Sequence, residues 1–224
     1  MKKNLILFIF AVGLFGCSTS EPEIKGSDCL VYSVTSETNK TAALVGINST
    51  NQFGDISIAS TAQINGKSYN VTSVADEALF NCRNITSVTL PNNVKSTGYR
   101  SFQNCYKLSS VILSNSLDSI GDESFHGCDS LKNILLPNSL RGIGRYAFKF
   151  SGLNSIIIPS SVKTISEGAF WGCNLKKITI YATTPPYASK ITFDYNIPLY
   201  VPNLSLNSYK NAIGWKDFKY IIGM

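Results

Sequence analysis

Cysteine and histidine are the side chains of this sequence with the most specific chemistry, because both bind metals and thiolates are nucleophiles. The chain has six cysteines and one histidine. Cys82, Cys105 and Cys128 follow one another at equal intervals, and Cys173 lies about two such intervals further on. This spacing predicts a single column of cysteines. Because zinc needs four ligands that converge on a tetrahedron, a column of this kind predicts no metal site.

The oxidation state of the column has two interpretations. Cys82 and Cys105 would lie ~5 Å apart on neighbouring layers, which is close enough for a disulfide. Cys128 and Cys173 would lie ~10 Å apart, which is beyond bridging range. Since cysteine is among the most buried residue types, we favour free thiols that fill a core.

His126 is the only candidate for the general base of a serine or cysteine hydrolase, because the chain has no other histidine. The equivalent positions in the repeats described below hold different residue types: Phe80, Gln103, Lys149 and Trp171. Such variation is typical of a surface position, so we predict a solvent-facing histidine. Asp122 and Glu123 are adjacent on one turn and have no second acidic pair to form a hydrolytic cleft.

Sequence motifs of the common enzyme and cofactor sites are also missing. The chain contains no Walker-type loop, no dinucleotide-binding fingerprint and no H-E-x-x-H motif. Together with the cysteine and histidine spacing, this predicts a protein that is not an enzyme, with no catalytic residues and no cofactor.

A tandem sequence repeat positions these side chains, and its five copies span positions 71–183. The copies begin at Val71, Val94, Leu117, Leu140 and Val162. Each copy ends in an alternating apolar stretch such as 131–136, which predicts one short β-strand per copy. The other four stretches are 85–90, 108–113, 153–158 and 175–180. One repeat cannot bury its apolar face alone, so the five strands must stack in parallel as a solenoid.

Glycines recur at one position of the repeat, directly after an isoleucine. Gly121 and Gly144 are two of them. We predict a tight corner there with positive φ, the backbone region that glycine enters most easily.

Both flanks of the repeats are predicted to cover the ends of the solenoid, because a terminal repeat exposes its core and its strand edge. Residues 28–70 are predicted to form an N-terminal β cap that includes a hairpin turn at Asn65-Gly66. Residues 184–224 are predicted to form a C-terminal cap, with a degenerate repeat at 197–202 and a short helix. The residues expected to plug this end are Tyr209, Ile213, Trp215 and Phe218.

The N-terminus has the layout of an export signal, with Lys2 and Lys3 followed by an apolar run up to Phe15. A membrane-spanning helix is the alternative, but this run is shorter than the ~20 residues that a bilayer requires. Without the two lysines the formal net charge falls from +6 to +4, which is too low to suggest nucleic-acid binding.

Leu14-Phe15-Gly16-Cys17 resembles the bacterial lipobox, although Phe15 is larger than the usual residue. The resemblance implies that Cys17 is lipidated and anchors the chain to a membrane. Residues 1–16 are then a lipoprotein signal peptide and residues 17–27 a tether. The expected location is the outer membrane, at the cell surface.

The repeats share a signature in which Ala or Ser precedes Phe, Gly-Cys or Asn-Cys follows two residues later, and L-x-x-I-x-L-P ends the copy. Together with Ala182-Thr183-Thr184-Pro185-Pro186 and Leu199-Tyr200-Val201-Pro202, this signature is similar to BspA-type leucine-rich repeat proteins of Bacteroides-like bacteria. The resemblance covers most of the mature chain. Two copies depart from the pattern, with Thr97 for an aliphatic residue and Phe150-Ser151 for Gly-Cys.

This resemblance implies a leucine-rich repeat β-solenoid, in which a parallel strand stack with irregular corners lies between the two caps. It also implies a cell-surface lipoprotein of the adhesion or host-interaction type. Some family members bind extracellular-matrix proteins, so the expected partner is a matrix or host surface protein.

The outward positions of the predicted strands are the candidate binding site. One residue per strand lies between the last two core positions and points outward: Thr89, Ile112, Leu135, Ile157 and Thr179. The middle three are large and apolar, so we predict a partner-binding stripe of Ile112, Leu135 and Ile157, flanked by Asn133 and Lys177. The competing interpretation is that β-branched residues only favour the strand conformation.

A carbohydrate-binding accessory lipoprotein is the second functional hypothesis. It would stack sugar rings on exposed aromatic residues at the repeat corners, namely Tyr99, Tyr106, Tyr146 and Trp171. These residues fall on the corners, whereas the first hypothesis uses the strands.

Overall fold

A computed structural model describes residues 29–48, 54–189 and 192–224. The predicted signal peptide, Cys17 and the tether lie outside the described residues. The strands form three sheets in which the repeats pair in parallel, each on the next. The leucine-rich repeat β-solenoid predicted from the sequence is therefore confirmed.

The described residues contain 16 strands and one α-helix. In chain order these are β1 (Leu30–Ser36), β2 (Thr41–Ile47), β3 (Gly54–Ser57), β4 (Thr61–Ile64), β5 (Lys67–Val74), β6 (Ile85–Thr89), β7 (Ser96–Thr97), β8 (Ser110–Ile112), β9 (Ser119–Ile120), β10 (Gly142–Ile143), β11 (Ser155–Ile158), β12 (Thr164–Ile165), β13 (Lys177–Ile180), β14 (Tyr187–Ala188), β15 (Pro198–Val201), α1 (Leu206–Asn211) and β16 (Tyr220–Gly223). A 3-10 helix, Asn203–Ser205, precedes α1.

One ladder of very short strands runs along the solenoid without interruption. Strands β5, β7, β9, β10, β12 and β14 pair in parallel in this order, and β1 and β2 extend the sheet at its N-terminal end. From β7 onward each strand of this ladder has only two residues. Two residues are too few for an alternating apolar pattern, so this ladder has no signal in the sequence.

The longer strands form the second ladder, which is interrupted. Its first part pairs β3, β6 and β8, and its second part pairs β11, β13, β15 and β16. The predicted strands of four repeats are therefore present, as β6, β8, β11 and β13. The third predicted strand, 131–136, adopts no strand conformation.

The interruption coincides with a change in the spacing of the repeats. Ser87 of β6 pairs with Ser110 of β8, whereas Ser155 of β11 pairs with Lys177 of β13, so the later repeat is one position shorter. The stretch 131–136 lies between these two parts of the ladder, where the earlier spacing gives way to the later one.

The centre of the core is a column of stacked phenylalanine rings. Its members are Phe102, Phe125, Phe148, Phe170 and Phe193. Neighbouring ring centroids are 5.0 to 5.5 Å apart. All five rings are buried, and because each repeat from the second onward supplies one ring, every inner ring packs between two others of the same kind.

A column of cysteines runs beside the phenylalanine rings, as the regular spacing of these cysteines predicts. Cys105 and Cys128 are fully buried, Cys82 and Cys173 are partly buried, and all of them are free thiols. Each buried thiol donates a hydrogen bond to a carbonyl of the preceding repeat, and the Cys128 Sγ lies 3.2 Å from the Phe102 oxygen. Burial raises the pKa of Cys128 to about 12 and that of Cys82 and Cys173 to about 11.

We expect Cys105 and Cys128 to resist alkylation in the folded protein. Their buried positions exclude the reagent, and their raised pKa leaves almost no thiolate at mildly alkaline pH. The measurement is iodoacetamide labelling read by peptide mass spectrometry, with and without urea. Cys29, which is partly exposed, is the internal control and should react in both states. Rapid labelling of Cys128 without urea would contradict the buried column.

The recurring glycines have a different role from the one predicted. Gly121 and Gly144 do not have positive φ. Instead, a Cβ added to Gly121 would lie 2.5 Å from the Thr97 carbonyl oxygen of the preceding repeat. The glycine is therefore needed because neighbouring repeats approach too closely for a side chain. Positive φ occurs elsewhere in the corners, at residues such as Arg100 and Glu123.

The N-terminal end is closed by antiparallel pairs, in contrast to the parallel stack. Strands β1 and β2 form one hairpin, and β4 and β5 form another. The second hairpin turns at Asn65 and Gly66, which have φ of 51° and 73°. Two consecutive left-handed residues are the geometry that the Asn-Gly pair predicts.

The C-terminal end is closed by the aromatic tail. Tyr209, Trp215 and Phe218 are buried, as predicted, whereas Ile213 is 64% exposed and does not plug the end. The predicted strand at 197–202 is present as β15, and β16 adds a further parallel strand to it. Among the described residues, no helix is long and apolar enough to cross a bilayer.

Candidate binding site on the strand face

The outward side of the longer-strand ladder, called here the strand face, exposes the predicted apolar row. Ile112 is 60% exposed, Leu135 83% and Ile157 48%. Thr89 and Thr179, at the two ends of the row, are half-buried. Three large aliphatic side chains are therefore available to solvent on neighbouring repeats.

A pocket of about 190 Å³ lies on the strand face between the third and fourth repeats. Its lining comprises Asn133, Ile134, Leu135, Leu136, Asn138, Ser155, Ile157, Pro159 and Tyr181. The pocket thus brings together Asn133, Leu135 and Ile157 of the predicted site. Lys177 lies on β13, the strand next to the pocket, where it is the register partner of Ser155, which lines the pocket. Ile112 does not line the pocket.

The backbone beside the pocket is the place where the ladder is interrupted. Within residues 133–136, no N–H or C=O group forms a backbone hydrogen bond with any described residue. One bond links the preceding residue to the next repeat, from the Asn154 N–H to the Lys132 carbonyl at 3.1 Å. In other repeats, bonds such as Leu90 N–H to the Ile112 carbonyl, at 2.9 Å, continue the ladder. Next to its most exposed apolar side chain, the strand face therefore has backbone donors and acceptors that form no backbone hydrogen bond within the described part of the chain.

The strand face around the pocket is positively charged. The stretches 131–137, 153–159 and 175–181 contain three lysines and no Asp or Glu. Lys132 Nζ donates to the Asp129 carbonyl and Lys176 Nζ to the Asn174 side-chain oxygen, both uncharged acceptors. None of the three lysines forms an ion pair with a described carboxylate.

His126 lies on a corner of the solenoid and is less exposed than predicted. Its side chain keeps 22% of its accessible surface, because it packs against Glu123 and Gln103 and its ring centroid lies 5.9 Å from that of Phe150. Burial lowers the pKa of His126, and the attraction of the Glu123 carboxylate opposes this shift. The neutral ring accepts a hydrogen bond at Nδ1 from the Gln103 amide, 2.9 Å away.

The corner aromatic residues of the carbohydrate hypothesis do not form one platform. Only Tyr146 and Trp171 are neighbours, with centroids 6.3 Å apart and planes inclined at 45°. Together with Phe150 they surround Lys149, whose Nζ lies 4.5 Å from the Trp171 centroid and 4.8 Å from that of Tyr146. These rings hold an ammonium group by cation–π contact. Because the planes of Tyr146 and Trp171 are inclined to each other, these rings form no common flat surface, although Trp171 itself is 51% exposed.

The potentially reactive side chains are kept apart by the repeat architecture. Cys105 and Cys128 are buried in the core, Cys82 and Cys173 are partly buried, and His126 is bonded to Gln103 on a corner. No three His, Cys, Asp or Glu side chains of the described residues group in a way that could hold a metal ion. The arrangement on the strand face is suited to contacts with another molecule through apolar surface, backbone groups and lysines.

Two parts of this site were not predicted from the sequence. Tyr181, 53% exposed, lines the pocket but lies after the end of its strand, outside the repeated apolar positions. The backbone groups of 133–136, which form no backbone hydrogen bonds with described residues, could not be recognised from the sequence, because Leu131, Ile134 and Leu136 keep the pattern of the other repeats. The aromatic residue that directly follows a strand was the only available signal.

Comparison with solved structures supports the fold. A leucine-rich repeat protein from Bacteroides ovatus is 27% identical, with a TM-score of 0.60 over 81% of this chain and 56% of that one. The leucine-rich repeat protein of T. pallidum is 24% identical, with a TM-score of 0.63 over 88% and 80%. The pneumococcal vaccine antigen PcpA is 17% identical, with a TM-score of 0.52 over 84% and 62%. The chain thus spans about half the length of the Bacteroides ovatus protein. No curated protein matches it.

The family comparison agrees with the repeat pattern. The BspA type leucine rich repeat region matches residues 50–199 in six copies, one more than the five predicted from the sequence and extending beyond 71–183 on both sides. This match covers more than half of the chain. The stacked parallel ladders, the phenylalanine column and this match lead to one conclusion: the chain belongs to the BspA-type leucine-rich repeat family.

Proposed function

We propose that this protein is a noncatalytic recognition or adhesion lipoprotein that binds a host or cell-surface protein through its strand face. The observation that carries the proposal is the exposed row of Ile112, Leu135 and Ile157, of which Leu135 and Ile157 line a pocket. Exposed contiguous apolar surface marks interaction sites in soluble domains. Repeat solenoids of this family are typically binding scaffolds, which agrees with this use.

The proposed location is the bacterial cell surface, with Cys17 as the lipid-anchored residue. The lipobox-like sequence before Cys17 supports this part of the proposal. The proposed partner is an extracellular-matrix or host surface protein.

Replacing Leu135 with aspartate is expected to weaken partner binding about tenfold or more, because the most exposed apolar side chain of the face becomes a charge. The measurement is biolayer interferometry of the immobilised chain against a panel of purified matrix and epithelial surface proteins. Leu204→Asp is the matched control, since Leu204 is 99% exposed and lies near α1.

Both variants should keep the circular dichroism spectrum and melting temperature of the wild type, because neither residue is buried. If a panel protein binds Leu135→Asp as tightly as it binds the wild type, the strand face is not its binding site. If Leu204→Asp weakens binding equally, the effect is one of charge alone and the proposal is wrong.

A further inference from the structure

We infer that the strand face binds an acidic, extended segment of its partner, with one large apolar side chain of that segment seated in the pocket beside Leu135. This inference rests on the proposed function and adds the chemistry of the partner. Three features of the described residues carry it: the pocket, the interrupted ladder and the lysines without ion pairs.

The pocket is suited to one apolar side chain. Leu135, Leu136, Ile157, Pro159 and Tyr181 supply its apolar lining. Its volume of about 190 Å³ is several times the roughly 30 Å³ that one water occupies in the liquid. An apolar side chain that displaces water from such a lining gains the hydrophobic free energy of both surfaces. A single buried anchor of this kind is how protein interfaces concentrate their affinity.

The interrupted ladder favours an extended partner segment over a helix. The N–H and C=O groups of 133–136 form no backbone hydrogen bonds with described residues, and they lie next to the pocket. A helix uses its own backbone groups internally, whereas an extended chain offers them to its neighbour. Main-chain hydrogen bonds to 133–136 would then complement the anchor, as in strand-type peptide recognition.

The charge of the face selects an acidic segment. Lys132, Lys176 and Lys177 are exposed and form no ion pair with a described carboxylate. The same face carries no Asp or Glu across these three repeats. A basic segment would therefore be repelled and an acidic one attracted, which raises both the association rate and the specificity.

The register places the charges at a defined distance from the pocket. Lys177 pairs with Ser155, which lines the pocket, and Lys132 directly precedes Asn133. Strands lie ~4.8 Å apart and rise ~3.3 Å per residue. Along a segment that runs parallel to 133–136, a carboxylate two or three positions from the anchor would lie near Lys132, whereas Lys177 lies ~4.8 Å to the side of Ser155, across the strands, and would reach the segment with its own side chain.

The test is a selection from a phage-displayed library of random dodecapeptides on the immobilised full chain, with counter-selection on Leu135→Asp. We expect the enriched sequences to carry net negative charge and one large aliphatic or aromatic residue with acidic residues two or three positions away. No enrichment over the counter-selection, or enrichment of neutral or basic sequences, would overturn the inference.

A charge-reversal comparison checks the role of the lysines. The triple variant Lys132→Glu, Lys176→Glu, Lys177→Glu should bind a synthetic peptide from the selection at least tenfold more weakly than the wild type. The matched control, Lys163→Glu, Lys210→Glu, Lys216→Glu, changes the net charge equally at exposed lysines elsewhere and should leave binding nearly unchanged. Equal loss in both triple variants would mean that net charge alone is responsible, and the inference would be wrong.

Competition separates this inference from the proposed function. If a panel protein binds in a Leu135-dependent way and the selected peptide displaces it, both stand. If such a protein binds but the peptide does not compete, the proposed function stands and the inference fails. If no panel protein depends on Leu135, the proposed function itself fails.

Discussion

Replacing Phe125 with alanine should lower the free energy of unfolding by about 3–5 kcal/mol, the range for large aromatic residues in cores. Phe125 is fully buried and its ring stacks on Phe102 at 5.0 Å and on Phe148 at 5.4 Å. Truncation removes contacts on both sides and leaves a cavity in the middle of the column. Since both neighbours are held by their own repeats, the column cannot close this cavity. Urea unfolding followed by circular dichroism measures the loss.

Two variants make this result interpretable. Phe125→Leu should cost clearly less than Phe125→Ala, because Leu79 occupies the equivalent, fully buried place in the first repeat. Ile112→Ala, at an exposed site, should change stability by no more than about 0.5 kcal/mol. A loss below about 1 kcal/mol for Phe125→Ala would mean that the ring column contributes little to the core.

Trp215→Ala should be similarly destabilising, by about 3–5 kcal/mol, because the indole closes the C-terminal end of the solenoid. Trp215 is fully buried, and its ring centroid lies 5.2 Å from that of Phe193, the last phenylalanine of the column. Its Nε1 donates a 2.7 Å hydrogen bond to the Pro186 carbonyl. Without the indole, the last ring of the column meets solvent and the carbonyl loses its donor.

Thermal unfolding and limited proteolysis measure this effect, since an open end should be cleaved after α1 before the repeats are. Trp215→Phe keeps most of the apolar surface and loses the N–H donor, so it should cost about 1–3 kcal/mol. Ile213→Ala is the matched control in the same tail, because Ile213 is 64% exposed. If Trp215→Ala has the melting temperature and the proteolysis pattern of the wild type, the capping role of Trp215 is wrong.

The parts of the fold that follow from side-chain periodicity could be predicted from the sequence. Residues such as Phe125, Cys128 and Leu131 recur at a fixed offset and are all fully buried. Periodic burial fixes which side of each repeat faces the core, and therefore which residues, such as Leu135, face outward. The outward orientation of the apolar row could therefore be predicted from the sequence.

The parts that depend on backbone contacts between repeats could not be predicted. Residues 131–136 have the apolar pattern of a strand, yet whether their N–H groups reach a neighbour depends on small displacements between layers. Gly121 was assigned to positive φ, although the actual constraint is the approach of the Thr97 carbonyl. Neither of these backbone features changes the pattern of apolar side chains in the sequence. The pocket beside Leu135 is therefore visible only in the folded structure.

The phenylalanine column has an evolutionary consequence. Phe125 has Phe102 on one side and Phe148 on the other, so each repeat contacts near-copies of itself. A duplicated segment one repeat long would find the same neighbours, while the two ends, where β1 and Trp215 lie, would stay as they are. Recombination between repeats could therefore lengthen or shorten such a gene by whole repeats without changing the contacts between neighbouring repeats.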